Sequence, residues 1–372
     1  MVETGSLLRS CAGLYPYRGF ESLSLRQINQ VMISFQNIIV SILKYLPKKL
    51  LKSIAGKSVI IDGNELDINL QIISKLAQPN IDKYKSDVQE YRRGAKLLSN
   101  LDLPICKGVS IEDRTFRLNS NELKARIYTS KTCTDMAPVI LFFHQGGMVI
   151  MDHLTDNYFC SLLSKVCNAK VISLDYRRCP EVNFPTPIED SLALWDFVQE
   201  HSEILGIDNK KVILAGDSAG GMISATMSIL IRDRGGIQPA GLLLAYPWIS
   251  TKKENQPSLS SCAETFPLTK ETIDFFELNV FPNGKNIDHP WANPLEQNLK
   301  NLPPSIVAIA GFDPIRDQGK LFAQTLKESG NSIIYHFFPD LCHSFLVLSR
   351  ISKAAENACI LIAKETSKIL ES

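Results

Sequence analysis

Three side chains of complementary chemistry follow apolar runs: Ser218 in VILAGDSAGGM, Asp313 in IVAIAGFDPIRD and His343 in IIYHFFPDLCHSF. A serine hydroxyl is a weak nucleophile until a neighbouring base takes its proton. A histidine can take it and then protonate a leaving group, while an acid holds the imidazole in one tautomer and stabilises the imidazolium. Glycines at 216, 220 and 221 bound the serine, the G-x-S-x-G spacing that sets a reactive serine on a sharp strand-to-helix turn. A fourth run, LFFHQGGMV, ends on His144, Gln145, Gly146 and Gly147. Glycines there let backbone N–H groups approach a developing oxyanion, and losing one such donor costs roughly 3–4 kcal/mol. These are the parts of acyl transfer, in the chain order serine, acid, histidine.

Other residues compete for the same roles. Asp317 is a second acid, but Asp313 directly follows its strand, and Pro314 biases it toward an extended backbone. Asp317 suits a helix N-terminus, where the dipole favours a carboxylate. His336 falls inside the last strand and reads as a packed or surface residue. His144 reads as an anchor for the glycine loop, Asp175 and Arg177 as structural buttresses, and Cys342 as a small buried residue.

Positioning these groups requires a sheet. From Pro138 onward, short apolar runs alternate with helix-length segments. The expected strands are 139–143, 171–174, 212–215, 241–245, 306–310 and 332–338, and the expected helices 155–168, 188–205, 219–233, 316–329 and 344–370. Continuous apolar strands alternating with helices predict an α/β fold with a mostly parallel sheet covered on both faces. Ligands bind such sheets beyond the carboxyl ends of the strands, where all four motifs fall. Upstream, 64–76 and 81–100 read as helices, and 109–111, 115–117 and 123–128 as strands with a turn at 119–121. A Pro-rich stretch after Ala245, with one helical run at 270–280, reads as an insertion over the carboxyl edge.

The 372 residues are 45% apolar and 21% charged, with net charge +1, an ordinary soluble globular composition. Forty basic against 39 acidic residues leave no electrostatic footprint for nucleic acid. Nine scattered cysteines without a C-x-x-C pair predict reduced thiols in a cytoplasmic setting, neither a disulfide framework nor a metal site. The N-terminus lacks the apolar core of a signal peptide. Val31 to Leu46 is apolar, but polar residues break it and it is short for a membrane span. The favoured expectation is a helix packed on the protein's own surface. The other is peripheral membrane contact through residues 31–52, helped by Lys48, Lys49 and Lys52.

Taken together, the motifs over residues 140–350 resemble the hormone-sensitive-lipase-like branch of the α/β-hydrolases, bacterial lipolytic family IV. His144-Gln145-Gly146-Gly147 resembles its HGGG loop and GDSAGG its nucleophile elbow. DYRRCPE with FPTPIED resembles its DYRLAPE…FPA…D stretch, and FDPIRDQG and CHSF its acid and histidine motifs. Residues 62–76 are similar to the N-terminal segment of longer actinobacterial-type members. The resemblance implies Ser218 as nucleophile, His343 as general base and acid, and Asp313 as its orienter. It implies oxyanion N–H groups from Gly146, Gly147 and Ala219, with His144, Gln145, Asp217, Asp175 and Arg177 in support. Gln145 departs from the family's first loop glycine and adds a side chain beside the pocket. Ser344, Met151 and Cys179 also replace small residues usual there, without removing a chemical role.

The resemblance further implies an α/β-hydrolase domain at 107–372 and a helical cap built from 1–106 and an insertion at about 250–295. The expected activity is hydrolysis of short- to medium-chain acyl esters, a small-molecule substrate, with no metal or organic cofactor. Two rivals are a membrane-associated lipase taking longer acylglycerols and a binding-only homologue, against which the presence of His343 speaks. The oligomeric state is left open, a dimer included.

Overall fold

The runs 139–143, 213–215 and 241–245 alternate no polar residues because both faces of their sheet are covered. In the computed structural model, which describes residues 43–82, 87–96 and 98–371, they form the middle of an eight-stranded sheet. A two-residue hairpin, β1 (Ile60–Ile61) and β2 (Asn64–Glu65), comes first in the chain and stands apart. The main sheet comprises β3 (Val109–Leu118), β4 (Asn121–Ser130), β5 (Ala137–Phe143), β6 (Lys170–Leu174), β7 (Ile207–Asp217), β8 (Gly241–Ala245), β9 (Ser305–Phe312) and β10 (Ile333–Cys342). Its order is β10-β9-β8-β7-β5-β6-β4-β3, with β4 antiparallel to both neighbours and every other pair parallel.

Register brings the motifs together. Phe143 pairs with Gly216, Asp217 with Ala245, Ala245 with Ala308, and Phe312 with Cys342. The next residue along each strand therefore leaves the sheet at the same edge: His144, Ser218, Tyr246, Asp313 and His343. Helices Asn157–Cys167, Thr186–Glu200, Ala219–Arg234, Arg316–Glu328 and Lys353–Glu371 link or follow the strands.

Several expected elements change. The C-terminal helix begins at Lys353 rather than at 344, with a short 3-10 turn at Phe345–Val347 before it. The apolar spacing of Phe345, Leu348 and Ile351 is that of buried turns, and Ser352 Oγ caps the helix by accepting the Ala355 N–H at 3.1 Å. The helix expected over 188–205 breaks at His201 into Thr186–Glu200 and Ser202–Leu205. Over 64–76, the first residues form β2, and Asp67 starts helix Ile68–Asp82 by accepting from the Asn69 and Leu70 N–H groups at 3.0 and 3.1 Å. The described part of 81–100 holds helix Val88–Ala95, capped by Asp87.

Two elements roof the carboxyl edge. Between β8 and β9 lies helix Lys270–Val280, whose cap residue Thr269 accepts from the Thr272 N–H at 3.1 Å. From the N-terminal side, Arg92 donates to Val149 O at 2.7 Å and Cys179 O at 3.0 Å and forms an ion pair with Glu181 at 2.6 Å. That arginine clamps helix Val88–Ala95 onto the loops beside the glycine motif. Val31–Ile42 lies outside the described residues. Of the described end of that stretch, Leu43 and Leu51 are buried while Tyr45 and Leu50 are exposed beside Lys48, Lys49 and Lys52. Among the described residues, no helix is long and apolar enough to cross a membrane.

Candidate active site

Ser218 sits at φ 50°, ψ −115°, between β7 and helix Ala219–Arg234. A non-glycine residue in such a region costs on the order of 1–3 kcal/mol and persists only when its surroundings impose it. They do: the Ser218 N–H donates to Ala245 O, while its carbonyl accepts from the Gly221 and Trp248 N–H groups, each at 2.9 Å. Gly220 is required here, because a Cβ on it would overlap the Phe143 carbonyl. The turn thus holds the hydroxyl above the sheet.

His343 Nε2 lies 2.9 Å from Ser218 Oγ, and His343 Nδ1 lies 2.8 Å from Asp313 Oδ2. The other Asp313 oxygen accepts the Ile315 N–H at 2.9 Å, and all three side chains are buried. With Nδ1–H donating to the acid, Nε2 is free to accept the serine proton. Asp317 is elsewhere engaged, accepting the Ser258 N–H at 2.7 Å and so tying the insertion to helix Arg316–Glu328. His336 stays on β10 beside Phe338, with ring centroids 6.0 Å apart.

Gly146 and Gly147 take φ 111° and 60°, and neither N–H donates to another described residue. The Ala219 N–H opens a helix, where no intrahelical acceptor exists. His144 stacks on Tyr176 at 4.2 Å and 7°, and its Nδ1–H donates to the Gln145 carbonyl at 2.7 Å. The Tyr176 hydroxyl donates to His144 O at 2.7 Å. Arg177 meets Asp190 at 2.6 Å, and Asp175 faces His153 at 3.5 Å and Arg178 at 3.8 Å. His144, Asp175 and Arg177 therefore hold the loops rather than face the serine.

Two cavities meet at Ser218, Leu268 and Phe276. The smaller is lined by Trp248, Ile273 and Ile315 as well. The larger reaches Tyr91, Ala95 and Leu98 of the N-terminal segment and includes Gln145, His343 and Ser344. Phe276 of the cap helix lies where a Cβ on Gly147 would fall, so cap and glycine loop are in direct contact.

Sequence reasoning missed Tyr246, whose hydroxyl donates to Asp217 Oδ2 at 2.8 Å and whose ring packs 4.8 Å from that of His343. The rule that found Ser218 would have found it, since it directly follows β8; a tyrosine simply is not one of the triad types. Asp156 falls inside the helix expected over 155–168; in the structure that helix starts at Asn157, and the Asp156 side chain makes no capping bond.

Behind the site lie buried carboxyls. Burial pushes Asp217 up to about 8 against the Tyr246 hydrogen bond, and burial with the Asp217 charge raises Asp156 well above the usual range. A carboxyl of the unfolded chain titrates near 4, so above that pH the folded protein holds the extra protons and stability falls as pH rises. Burial brings His144 down to about 4, which gives the opposite slope, but only up to about pH 6.5. From pH 6.5 to 8 thermal stability should therefore decline, by at most about 1.4 kcal/mol per pH unit for each titrating acid. Melting curves of Asp217→Asn, which keeps an acceptor for Tyr246, should show a flatter decline. An unchanged slope would place the protons on other groups.

The profile of the α/β hydrolase fold matches residues 140–347. The carboxylic ester hydrolase LipN of Mycobacterium tuberculosis is 31% identical over 334 residues, 85% of this chain and 86% of that protein. Esterase LipI of the same organism is 33% identical, covering 68% of this chain and 81% of its own. Among solved structures, EstE1, a thermostable carboxylesterase cloned from a metagenomic library, is 31% identical over 77% of this chain and 98% of its own, with a TM-score of 0.72. A hyperthermophilic esterase from Pyrobaculum calidifontis, 28% identical, has the same TM-score over 80% of this chain and 97% of its own. With the sheet order, the strand-end motifs and these likenesses in agreement, the chain belongs to the α/β-hydrolase family, in its hormone-sensitive-lipase-like branch.

Proposed function

We propose that this chain is a serine carboxylesterase that hydrolyses short- to medium-chain acyl esters through an acyl-enzyme on Ser218. The observation that carries the reading is the relay from Asp313 through His343 to a strained, buried serine, at 2.8 and 2.9 Å. It opens where two cavities meet, a shape that suits the two halves of an ester flanking one carbonyl. The activities named for LipN, LipI and EstE1 support the same bond class.

His343 Nε2 accepts the Ser218 proton as Oγ attacks the ester carbonyl. Asp313 holds the resulting imidazolium. The carbonyl oxygen, now negative, is met by the Gly146, Gly147 and Ala219 N–H groups, none of which donates to another described residue. His343 then protonates the departing alcohol. Water enters, gives its proton to the same nitrogen and attacks the acyl-enzyme; His343 then returns that proton to Ser218 Oγ as the acid leaves.

The small, mostly apolar cavities support the chain-length part of the reading. A series of p-nitrophenyl esters with acyl chains from two to sixteen carbons tests it. Turnover should peak at short or medium length and fall at least about tenfold by sixteen carbons, because a chain longer than the cavity must displace packed side chains at a cost of about 1–3 kcal/mol. A maximum at sixteen carbons would replace this reading with that of a long-chain lipase.

A further inference from the structure

Behind the glycine loop, four buried polar atoms make no well-formed hydrogen bond to a described residue: Gln145 Nε2, both Asp156 carboxyl oxygens and Asp217 Oδ1. Buried polar groups are ordinarily hydrogen-bonded, so such a cluster calls for an explanation. These atoms are neighbours. The Gln145 side-chain amide lies beside the Asp156 carboxyl, and the Asp156 and Asp217 carboxyls act on each other. The amide offers its N–H to Asp156, the Gln145 backbone N–H faces Asp217, and one proton or a buried water between the acids completes the set.

The other end of Gln145 is engaged. Its Oε1 accepts a hydrogen bond from the hydroxyl of Ser344, the residue after His343. Asp217 directly precedes Ser218 and is held by Tyr246, whose ring packs on His343. One side chain thus touches the loop after β10 and faces Asp156, while its backbone N–H faces Asp217 under the nucleophile turn. Its own backbone sits between His144 and Gly146, in the loop that carries the unengaged N–H groups.

We propose that Gln145 is a positioning residue: through Ser344 and Asp156 it fixes the distance between the oxyanion donors of Gly146 and Gly147 and the Ser218–His343 pair. The proposal rests on the triad assigned above. Misplacing a reacting group by about 1 Å can cost a factor on the order of 100, so a looser clasp should lower turnover rather than binding. A pocket wall would do the opposite, changing KM and chain-length preference.

The test compares Gln145→Met, which keeps length without hydrogen bonds, Ser344→Gly, and the double variant. At Ser344 φ is 62°, a conformation glycine adopts freely, so that change removes the hydroxyl without adding strain. Two readouts are taken for each folded variant, matched by melting temperature: kcat and KM on a butyrate ester, and the rate at which an aryl phosphonate labels Ser218.

Each single change should lower kcat and the labelling rate about tenfold, with KM within about twofold of wild type. The double variant should be no slower than Gln145→Met alone, because both changes break one link. Multiplying losses, or a change confined to KM and chain length, would overturn the clasp. Should the wild type hydrolyse no ester, the esterase reading falls while the labelling rates still decide on Gln145.

Discussion

Ser218→Ala should lower kcat on a butyrate ester by about a millionfold, the scale seen when a triad nucleophile is removed from an enzyme of this mechanism. Alanine can occupy the same turn. The strain at φ 50° belongs to any side chain with a Cβ, and the three 2.9 Å backbone bonds that impose it do not involve the hydroxyl. Melting temperature should therefore stay near that of the wild type while turnover disappears. What survives, on the order of 10³–10⁴ over water, would come from the oxyanion donors and from binding alone. Steady-state rates on the purified variant, checked against buffer, measure this directly. A loss below about a thousandfold would move the nucleophile away from Ser218. Cys342 would be a poor substitute, since burial raises its thiol and disfavours the thiolate.

Asp313→Asn should cost about 10⁴ in kcat. The wild-type carboxylate accepts two hydrogen bonds, from the Ile315 N–H at 2.9 Å and from His343 Nδ1 at 2.8 Å. An asparagine has one oxygen to give. Bonded to Ile315, it turns its amide N–H toward His343 and forces Nδ1 to accept. Nε2 then carries the proton and cannot take that of Ser218. Asp317→Asn is the paired control: its oxygen can still accept the Ser258 N–H that holds the insertion, so kcat should change by no more than about threefold. The opposite ranking of the two variants would make Asp317 the acid.

Most of the triad's geometry was legible in the sequence because it is set by strands, and apolar strands announce themselves. Gly241–Ala245 is bounded in the structure as its letters predict, and the turn at Asn119 falls where expected, with φ 54°. Strand β7 runs from Ile207, well before Val212, because Asp208 to Lys211 lie at the open end of the sheet, where charge is tolerated and the apolar signal vanishes. The roof was less legible. Phe276 over Gly147, Arg92 on Val149 and the approach of Tyr91 and Leu98 to the serine are tertiary contacts between segments far apart in the chain. No local periodicity encodes them. Gln145 and Ser344 were visible as departures from a family pattern, but not as hydrogen-bond partners.

The meeting of two cavities at one serine divides the chain's duties. The smaller is bounded by the core and the insertion, through Trp248, Ile273 and Ile315, while the larger also takes Tyr91, Ala95 and Leu98 from the N-terminal segment. The glycine loop and the insertion thus wall both cavities, whereas the N-terminal segment walls only one. Drift at Tyr91, Ala95 or Leu98 therefore reshapes the wall of one cavity and leaves the lining of the other as it was. A fold arranged this way can change clientele by halves.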